Sequence, residues 1–304
     1  MDLKTEEFEA ARPQLVGLAY RLLGSVSDAQ DAVQDTYVKW LTNEGDVEVP
    51  VAWLSRVCTN RCLDQLKSAN HTRLNYVGQW IPDQIQTEFE TSAEDQLEFA
   101  SSLTTAFLLL LERLTPKERA AYLLHDVFSM PFAEVSAVLE TQPANCRKLA
   151  ARARSFVTGN TVRHVPKKQR QEELVLAFQA ALRTGDTKEL GAVLRDDAGL
   201  RADSGGKVQA VRDVIEGREP ISAFLKNVLC LAWSSMKFSQ QMINGTLGIV
   251  VKDSDGLHAI VSFGYDARGN IGQIYIMRHP EKLARFAQAS GLVSEKGKLL
   301  FQTH

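Results

Sequence analysis

The sequence predicts a multidomain protein in which two all-α helical modules precede an α+β domain. With 304 residues, 24% of them charged and 44% hydrophobic, the chain is long enough for two or three domains with separate cores. Apolar residues recur at helical spacing up to about residue 156. After about Val165 they alternate in short segments separated by glycine, as in antiparallel strands. Helices followed by strands are typical of an α+β domain in the C-terminal part.

The composition excludes several classes of protein. No run of residues approaches the roughly 18 apolar residues of a membrane span, and the acidic N-terminus is unlike a signal peptide, so we expect a cytoplasmic protein. The net charge of −2 excludes nucleic-acid binding through bulk positive charge. The four cysteines are too scattered for a disulfide framework, and we expect Cys58 and Cys62 to be buried free thiols.

The first seventy or so residues are predicted to form a small helical bundle, with a helix starting at Pro50. The apolar positions at helical spacing are Leu15, Leu18, Leu22, Ala29, Ala32, Val33, Trp40, Leu54, Val57, Cys58 and Leu66. Ser27 can cap the helix that carries Asp28, Asp31 and Asp35 on one face. This acidic stripe is either an ordinary solvated face or a docking surface for a basic groove.

Charge is distributed in three blocks along the chain. Residues 60–73 are basic, residues 74–112 contain no Lys or Arg, and residues 143–170 contain eight basic groups and no acid. This order predicts two modules that face nucleic acid, joined by a connector that the phosphate backbone repels. Solvated faces and a polar linker are the alternative interpretation.

The second helical module has the layout of a helix-turn-helix. Helical stretches are predicted over 98–114, 115–128 and 132–140, and Pro143 opens a last helix that runs to about Phe156. Val135, Val138 and Leu139 face inward. In the last helix, Asn145, Arg147 and Lys148 are placed to reach base edges or nearby phosphates, and Arg152 and Arg154 to reach the backbone. A surface helical hairpin is the alternative.

The helix over residues 51–67 combines an aromatic side chain, an amide and basic groups, as proteins that bind single-stranded DNA do. An ordinary amphipathic helix with a buried Trp53 is the alternative.

Three segments, LLGSVSDAQDAVQDTYVKW, AWLSRVCTNRCLDQLKS and the stretch from LTPKERAAYLLHD to ANCRKLAARAR, resemble regions two and four of extracytoplasmic-function (ECF) sigma factors of the sigma-70 family. The remainder resembles a SnoaL-like domain, the curved α+β cone shared with ketosteroid isomerases. The resemblance implies sigma region 2 at 1–75, an acidic linker at 76–97, region 4 with its helix-turn-helix at 98–164, the SnoaL-like domain at 165–285 and a tail at 286–304.

The resemblance implies a sigma factor that directs promoter-specific transcription initiation and has no cofactor, metal or catalytic residue. Its partners are core RNA polymerase, through the β′ and β subunits, and promoter DNA, with no dedicated anti-sigma factor. The implied polymerase-binding residues are Asp28, Asp31, Asp35, Tyr37 and Trp40. The implied minus-ten residues are Trp53, Asn60, Arg61, Asp64 and Lys67, and the loop over 42–48 helps to choose the base. The implied minus-thirty-five residues are Pro143, Ala144, Asn145, Arg147, Lys148, Arg152 and Arg154.

One ECF group with this extension carries motifs in the linker and in the extension. This chain has WIPDQ where the linker motif is usually WLPEP, DSGGK where DGGGK is usual, and HPEKL where NPDKL is usual. The implied interdomain regulatory residues are Trp80, Ile81, Pro82, Asp83, Asp203, Gly205, Gly206, Lys207, Pro280 and Lys282. We expect the turn over 203–207 to cover the apolar linker residues and Lys207 to pair with Asp83, so that activity is controlled in cis.

Two other functions stay open from the sequence alone. A one-component regulator would bind duplex DNA through the helix-turn-helix and sense a small ligand in the cone. An enzyme would use an acid and a base in the cone, for which Asp203, His258, Tyr265 and Asp266 are candidates by residue type only.

Overall fold

The computed structural model describes residues 3–74, 76–89, 100–159, 164–288, 292–295 and 298–301. The chain divides into two compact units. The first contains residues 1–75, 110–160 and 294–301, and the second contains residues 76–109, 161–293 and 302–304. Among the described residues, no helix is both long and apolar enough to cross a membrane.

The N-terminal module of the first unit is a three-helix bundle. Its helices are α1 (Leu3–Leu23), α2 (Val26–Leu41) and α3 (Pro50–Leu74). The bundle buries the predicted apolar positions, including Leu15, Leu22 and Ala32, together with the free thiols of Cys58 and Cys62. The predicted cap of α2 is wrong by two residues, because the side chain of Ser25 accepts the hydrogen bond from the Asp28 amide.

We call residues 76–109, which belong to the second unit and include the predicted linker over 76–97, the linker of the structure. It contains a short strand, β1 (Thr87–Phe89), and most of a short helix, α4 (Thr105–Leu111). Within the helix predicted over 98–114, the described residues are helical at 100–101 and over Thr105–Leu111, with a break at 102–104 and an end at Leu111. The first unit resumes after Leu109, and Thr105 and Ala106 pack on the α+β domain of the second unit.

The second helical module consists of α5 (Pro116–Tyr122), α6 (Phe132–Val138) and α7 (Pro143–Gly159). The helix α5 starts with a capping box of Thr115 and Glu118 and continues into one wider, π-helical turn, Leu123–Val127. Val135, Val138 and Leu139 are buried as predicted. The helix α6 ends at Val138 because Glu140 adopts a left-handed conformation, with φ 50°, that no helix can continue.

The second unit contains a curved six-stranded sheet. Its helices are α8 (Lys168–Thr184), α9 (Lys188–Val193), α10 (Arg218–Phe224), α11 (Cys230–Ala232) and α12 (Pro280–Gln288), and a π-helical turn, Leu225–Leu229, joins α10 to α11. Its strands are β2 (Leu194–Asp203), β3 (Ile215–Glu216), β4 (Lys237–Ile243), β5 (Thr246–Lys252), β6 (Leu257–Tyr265) and β7 (Ile271–Met277). Two further short strands, β8 (Leu292–Glu295) and β9 (Lys298–Phe301), follow in the chain.

The sheet order is β3-β2-β7-β6-β5-β4, with β2 and β7 parallel and the other neighbours antiparallel. Successive side chains of a strand point to opposite faces, so each strand feeds two clusters. One face packs against the helices through large side chains such as Phe178, Trp233 and Phe263, which fill the inside of the cone. The other face, with Tyr275 and Met277, is covered by the linker and α12.

Candidate nucleic-acid interface and linker site

The helix α7 presents one basic face and one buried face. Ala144, Asn145, Arg147, Lys148, Arg152 and Arg154 are exposed, and Pro143 is half-buried. Cys146, Ala150, Ala153 and Val157 are buried against the rest of the module. The positions predicted to meet the minus-thirty-five element therefore share the open face of a helix that is 17 residues long.

Two of the arginines on α7 have different surroundings. The Arg147 guanidinium lies over the ring of Phe132, 5.8 Å from its centroid. Arg154 donates to Asp126 at 2.6 Å, and this carboxylate raises the pKa of Arg154. The sequence run without acids therefore has an acid beside it in space, contributed by the π-helical turn that follows α5. Arg147 differs from Arg154, because its guanidinium has no carboxylate partner among the described residues and lies over the Phe132 ring instead.

The predicted minus-ten residues lie on one side of α3. Asp64 and Lys67 are exposed and pair at 2.8 Å, and the hydrogen bond from Lys67 lowers the pKa of Asp64. Asn60 and Arg61 are half-buried. Arg61 donates to Asp35 of α2 at 2.6 Å, which joins a predicted minus-ten residue to a predicted polymerase-binding residue.

Trp53 is half-buried between the two helical modules of the first unit. Its ring lies 5.2 Å from that of Trp40. It also lines a pocket of about 230 Å³ together with residues of α6 and the turn before it. The remaining lining residues are Ala52, Arg56, Met130, Glu134, Ala137 and Val138. In this arrangement the predicted minus-ten tryptophan faces region 4 and not a DNA strand.

The predicted polymerase-binding residues of α2 divide into exposed and buried groups. Asp28 and Asp31 are exposed. Trp40 is only 3% exposed, and its indole N–H donates to the Lys4 carbonyl at 2.8 Å. Direct polymerase contact by Trp40 is therefore corrected to a core role. Tyr37 is half-buried, and its hydroxyl lies 3.2 Å from that of Thr5.

A buried arginine joins the two helical modules. Arg119 of α5 is 3% exposed, and its guanidinium donates to the Leu22 carbonyl at 2.5 Å and to Glu112 at 2.7 Å. Leu22 lies in the last turn of α1, where carbonyls have no partner within the helix and a cation is favoured by the helix dipole. Burial lowers the pKa of Arg119 to about 10. Sequence reasoning gave Arg119 no role, because the contact spans 97 residues.

In the second unit, the side chain of Asp203 holds the linker. It is fully buried and accepts hydrogen bonds from the Tyr76 hydroxyl at 2.6 Å, the Ile81 amide at 3.0 Å and the Lys282 ammonium at 2.9 Å. Burial, followed by the bond to Asp203, raises the pKa of Tyr76, so this phenol remains a donor. We call the cluster of Tyr76, residues 80–83, residues 203–207, His279 and Lys282 the linker site.

Lys282 completes the linker site from the first turn of α12. Its ammonium donates to the Ile81 carbonyl at 2.5 Å and lies 4.8 Å from the centre of the Trp80 ring. Asp83 lies 3.9 Å from Lys282 and 3.4 Å from Arg285. The predicted pair of Lys207 and Asp83 is wrong, because Lys207 pairs with Glu281, one residue before Lys282.

The turn after β2 approaches the linker through glycine backbone. Gly205 and Gly206 have φ 59° and 70°, a left-handed conformation that glycine adopts without strain. A Cβ atom on Gly206 would lie 2.7 Å from a methyl carbon of Val77. The ring of His279, directly before Pro280, stacks on that of Tyr76 at 6.4 Å. Close packing therefore explains why both sides of this contact are small or flat.

The linker makes a second set of buried contacts that the sequence analysis missed. The Ile85 amide donates to the Asn244 side chain at 2.7 Å, and the Gly245 amide donates to Thr87 at 3.1 Å. The hydroxyls of Thr105 and Ser262 lie 3.1 Å apart. Asn-Gly between two alternating segments is a strong signal for a tight hairpin, so the turn at 244–245 was detectable. The contact between this turn and the linker was not detectable from the sequence.

The four residues considered for catalysis have separate surroundings. Asp203 belongs to the linker site, and His258 pairs with Asp253 at 2.9 Å and accepts from Arg278 at 3.0 Å. Asp266 accepts hydrogen bonds from backbone amides of its own turn. Tyr265 lies in the core of the cone, where burial raises its pKa. Asp203, His258 and Asp266 therefore have structural contacts, whereas the buried Tyr265 hydroxyl has no hydrogen-bond partner among the described residues.

A helix-turn-helix with a basic recognition helix, joined to a second helical module and an α+β domain, defines a DNA-binding transcription protein. The Sigma-70 region 2 family matches residues 8–72, and the Sigma-70 region 4 family matches residues 104–157. The chain is 34% identical over 250 residues to the ECF RNA polymerase sigma factor SigJ of Mycobacterium tuberculosis, covering 81% of this chain and 80% of SigJ. It is 26% identical over 282 residues to the probable ECF RNA polymerase sigma factor SigI of the same organism, covering 91% of this chain and 93% of SigI.

The crystal structure of Mycobacterium tuberculosis SigJ superposes with a TM-score of 0.72 at 30% identity, covering 91% of this chain and 97% of SigJ. The chain belongs to the ECF RNA polymerase sigma factor family. The predicted resemblance to a family member with a C-terminal SnoaL-like domain is confirmed. Sigma factors bind core RNA polymerase and promoter DNA. The one-component regulator considered above is not favoured.

Proposed function

We propose that the SnoaL-like domain controls this sigma factor in cis by holding the linker between regions 2 and 4. The observation that carries the proposal is the buried Asp203 side chain, which binds Tyr76 and Ile81 of the linker and Lys282 of α12 together. A buried carboxylate with three donors from separate segments is costly to separate, because each partner would be left unpaired. Regulation of this kind needs no dedicated anti-sigma factor and no catalysis by the cone.

The distance between the two promoter elements explains why holding the linker would prevent promoter binding. The minus-ten and minus-thirty-five elements lie about 25 base pairs apart, roughly 85 Å at 3.4 Å per base pair. Regions 2 and 4 cannot read both elements while Arg119 joins α5 to the end of α1. The linker over 76–109 has 34 residues, enough for about 110–120 Å when fully extended. The linker cannot extend to this length in the closed form, because Ile81 near one end and Thr105 near the other are bound to the sheet domain.

In the released form, we propose that the two DNA elements are read as the family resemblance implies. Arg147, with Asn145 and Lys148, reads the duplex at minus thirty-five, and the α3 face reads the opened strand at minus ten. Trp53 becomes available there only when α6 leaves the pocket that both of them line. Separation of the two modules is therefore part of activation.

The proposal is tested by Trp80→Ala. The Trp80 ring lies under the Lys282 ammonium, so its removal weakens the cover of the buried carboxylate. We expect promoter-specific transcription with core polymerase to rise a fewfold and the molecule to expand in small-angle scattering. Unchanged scattering together with an unchanged transcription rate would show that the linker contact does not control activity.

A second prediction concerns polymerase docking. Reversal of Asp28 and Asp31 to Lys is expected to weaken core polymerase binding about tenfold or more, because exposed charges set association without supporting the fold. Asp35 is left intact, since its reversal would also release Arg61. The matched control is Glu6→Lys on the exposed side of α1. Equal affinities of the double variant and the control, with normal circular dichroism, would exclude this face as the docking surface.

A third prediction is that acid loosens the linker site through His279. Burial lowers the pKa of His279, reinforced by Lys282 and Lys207 and opposed by Asp203 and Glu281. Closure therefore favours the neutral ring. The contribution of neutral His279 to the stability of the closed linker site is complete above the ordinary histidine pKa of about 6.5. It is lost as the pH falls through the lowered pKa of His279 in the closed form. As the pH falls from 8 to 5.5, we expect the radius of gyration of the wild-type protein, measured by small-angle scattering, to increase.

The control for this pH effect is His279→Asn, the residue usual at this position of the family motif. The variant is expected to close the linker site at both pH values, because asparagine does not titrate. A radius that rises equally in wild type and in His279→Asn would assign the effect to other groups.

A further inference from the structure

The recognition helix carries an arginine, Arg147, whose guanidinium lies over an aromatic ring. The Arg147 guanidinium lies 5.8 Å from the centroid of the Phe132 ring. On the same ring, His125 stacks at 3.8 Å between centroids, with 28° between the planes. His125 is itself fixed, because its Nδ1 lies 2.9 Å from the Met130 carbonyl oxygen. Three side chains from three successive segments therefore form one layered group.

Each member of the stack is placed by local structure. His125 lies in the π-helical turn, Leu123–Val127, and Phe132 is the first residue of α6. Arg147 lies on the second turn of α7, where an exposed side chain would otherwise sample many rotamers. A flat cation over an aromatic face loses part of that freedom before DNA binds.

We infer that Phe132 is a positioning residue that directs Arg147 toward its base in the minus-thirty-five duplex. Bidentate recognition of a guanine by arginine requires the guanidinium plane to lie close to the plane of the base. A guanidinium that is already oriented loses less conformational entropy when it binds DNA. The resulting increase in affinity applies only to the base that Arg147 contacts. Phe132 itself is half-buried and contacts no base in this account.

The module contains a matched pair for comparison. Arg113 lies over the ring of Phe156 at 5.2 Å, which is an equivalent stack near the other end of α7. Phe156 is half-buried like Phe132, so its loss costs a similar amount of packing. Arg113, the cation over this ring, is not a residue that we assign to base recognition.

The inference rests on the proposed role of Arg147, so the experiment measures both. Binding of the holoenzyme is compared on a duplex selected from a random pool and on its single-base variants across the minus-thirty-five element. Arg147→Ala is expected to lose discrimination at one position. Phe132→Leu is expected to lose about two- to fivefold discrimination at the same position, while Phe132→Tyr and Phe156→Leu keep it. Combining Phe132→Leu with Arg147→Ala should cause no further loss at that position.

Different results overturn different parts. If Arg147→Ala is specific for one position while Phe132→Leu leaves every ratio unchanged, the positioning role is wrong and the proposed role of Arg147 stands. If Arg147→Ala weakens all sequences equally, Arg147 does not read a base, and the positioning role fails with it. If Phe132→Leu and Phe156→Leu weaken all sequences alike, both rings serve only the packing of region 4.

Discussion

Gly206→Val is expected to raise promoter-specific transcription by about tenfold, because it adds a side chain where the turn over 203–207 contacts Val77. Gly206 has φ 70°, and a β-branched residue there costs about 1–2 kcal/mol in backbone strain alone. The new Cβ would also lie 2.7 Å from a methyl carbon of Val77, so Val77 must shift, and we expect this shift to loosen the linker. The measurement is the rate of specific initiation with core polymerase.

The control for this variant is Gly256→Val. Gly256 also has a positive φ, 128°, but a Cβ built on it meets no atom within 4 Å. It carries the backbone strain without any effect on the linker. If both variants raise transcription equally, general destabilisation of the SnoaL-like domain is the cause and the specific contact with Val77 is not.

Arg119→Met is expected to separate region 2 from region 4 even when the linker site is intact. Methionine retains apolar volume but removes the hydrogen bonds that Arg119 donates to the Leu22 carbonyl and the Glu112 carboxylate. Removal of one partner from a buried ion pair costs about 3–5 kcal/mol, so the packed arrangement of the two modules should be lost. The measurement is the scattering radius, accompanied by the rate of specific transcription.

The control for Arg119 is Arg154→Met, which breaks the pair with Asp126 inside region 4. The Arg154 side chain is 48% exposed, so this pair contributes little to stability. A radius that increases as much in Arg154→Met as in Arg119→Met would mean that region 4 itself has loosened.

The local pattern of the sequence was sufficient for most helical elements and for the exposed face of α7, but not for the break within 98–114 or the cap of α2. The spacing of Val135, Val138 and Leu139 and the break at Pro143 depend on neighbouring residues only, and period and capping read these well. The alternating segments were likewise sufficient for β5, β6 and β7. The order of strands and the parallel pairing of β2 with β7 were beyond this reasoning, because they join segments about 75 residues apart.

The polar contacts could be predicted only in part, because charge alone does not identify a partner. The motifs brought 80–83 and 203–207 together, but Lys207 was assigned to Asp83 when Glu281 is its partner. Lys282 is the buried cation of the linker site, and burial was not visible from its residue type. The helical spacing places Trp40 in the core of the bundle, as its burial confirms, whereas its polymerase contact was implied only by the family resemblance.

The measurement that tests the account most directly is the distance between regions 2 and 4 by energy transfer. Fluorophores are placed on cysteines at the exposed positions Glu6 of α1 and Thr158 of α7, with Cys230 changed to Ser. We expect one short distance in free wild type, a longer one in Gly206→Val, and a separation on the order of 85 Å for wild type in the promoter complex. Identical distances in free wild type and in Gly206→Val, while transcription rises in the variant, would contradict control through the linker.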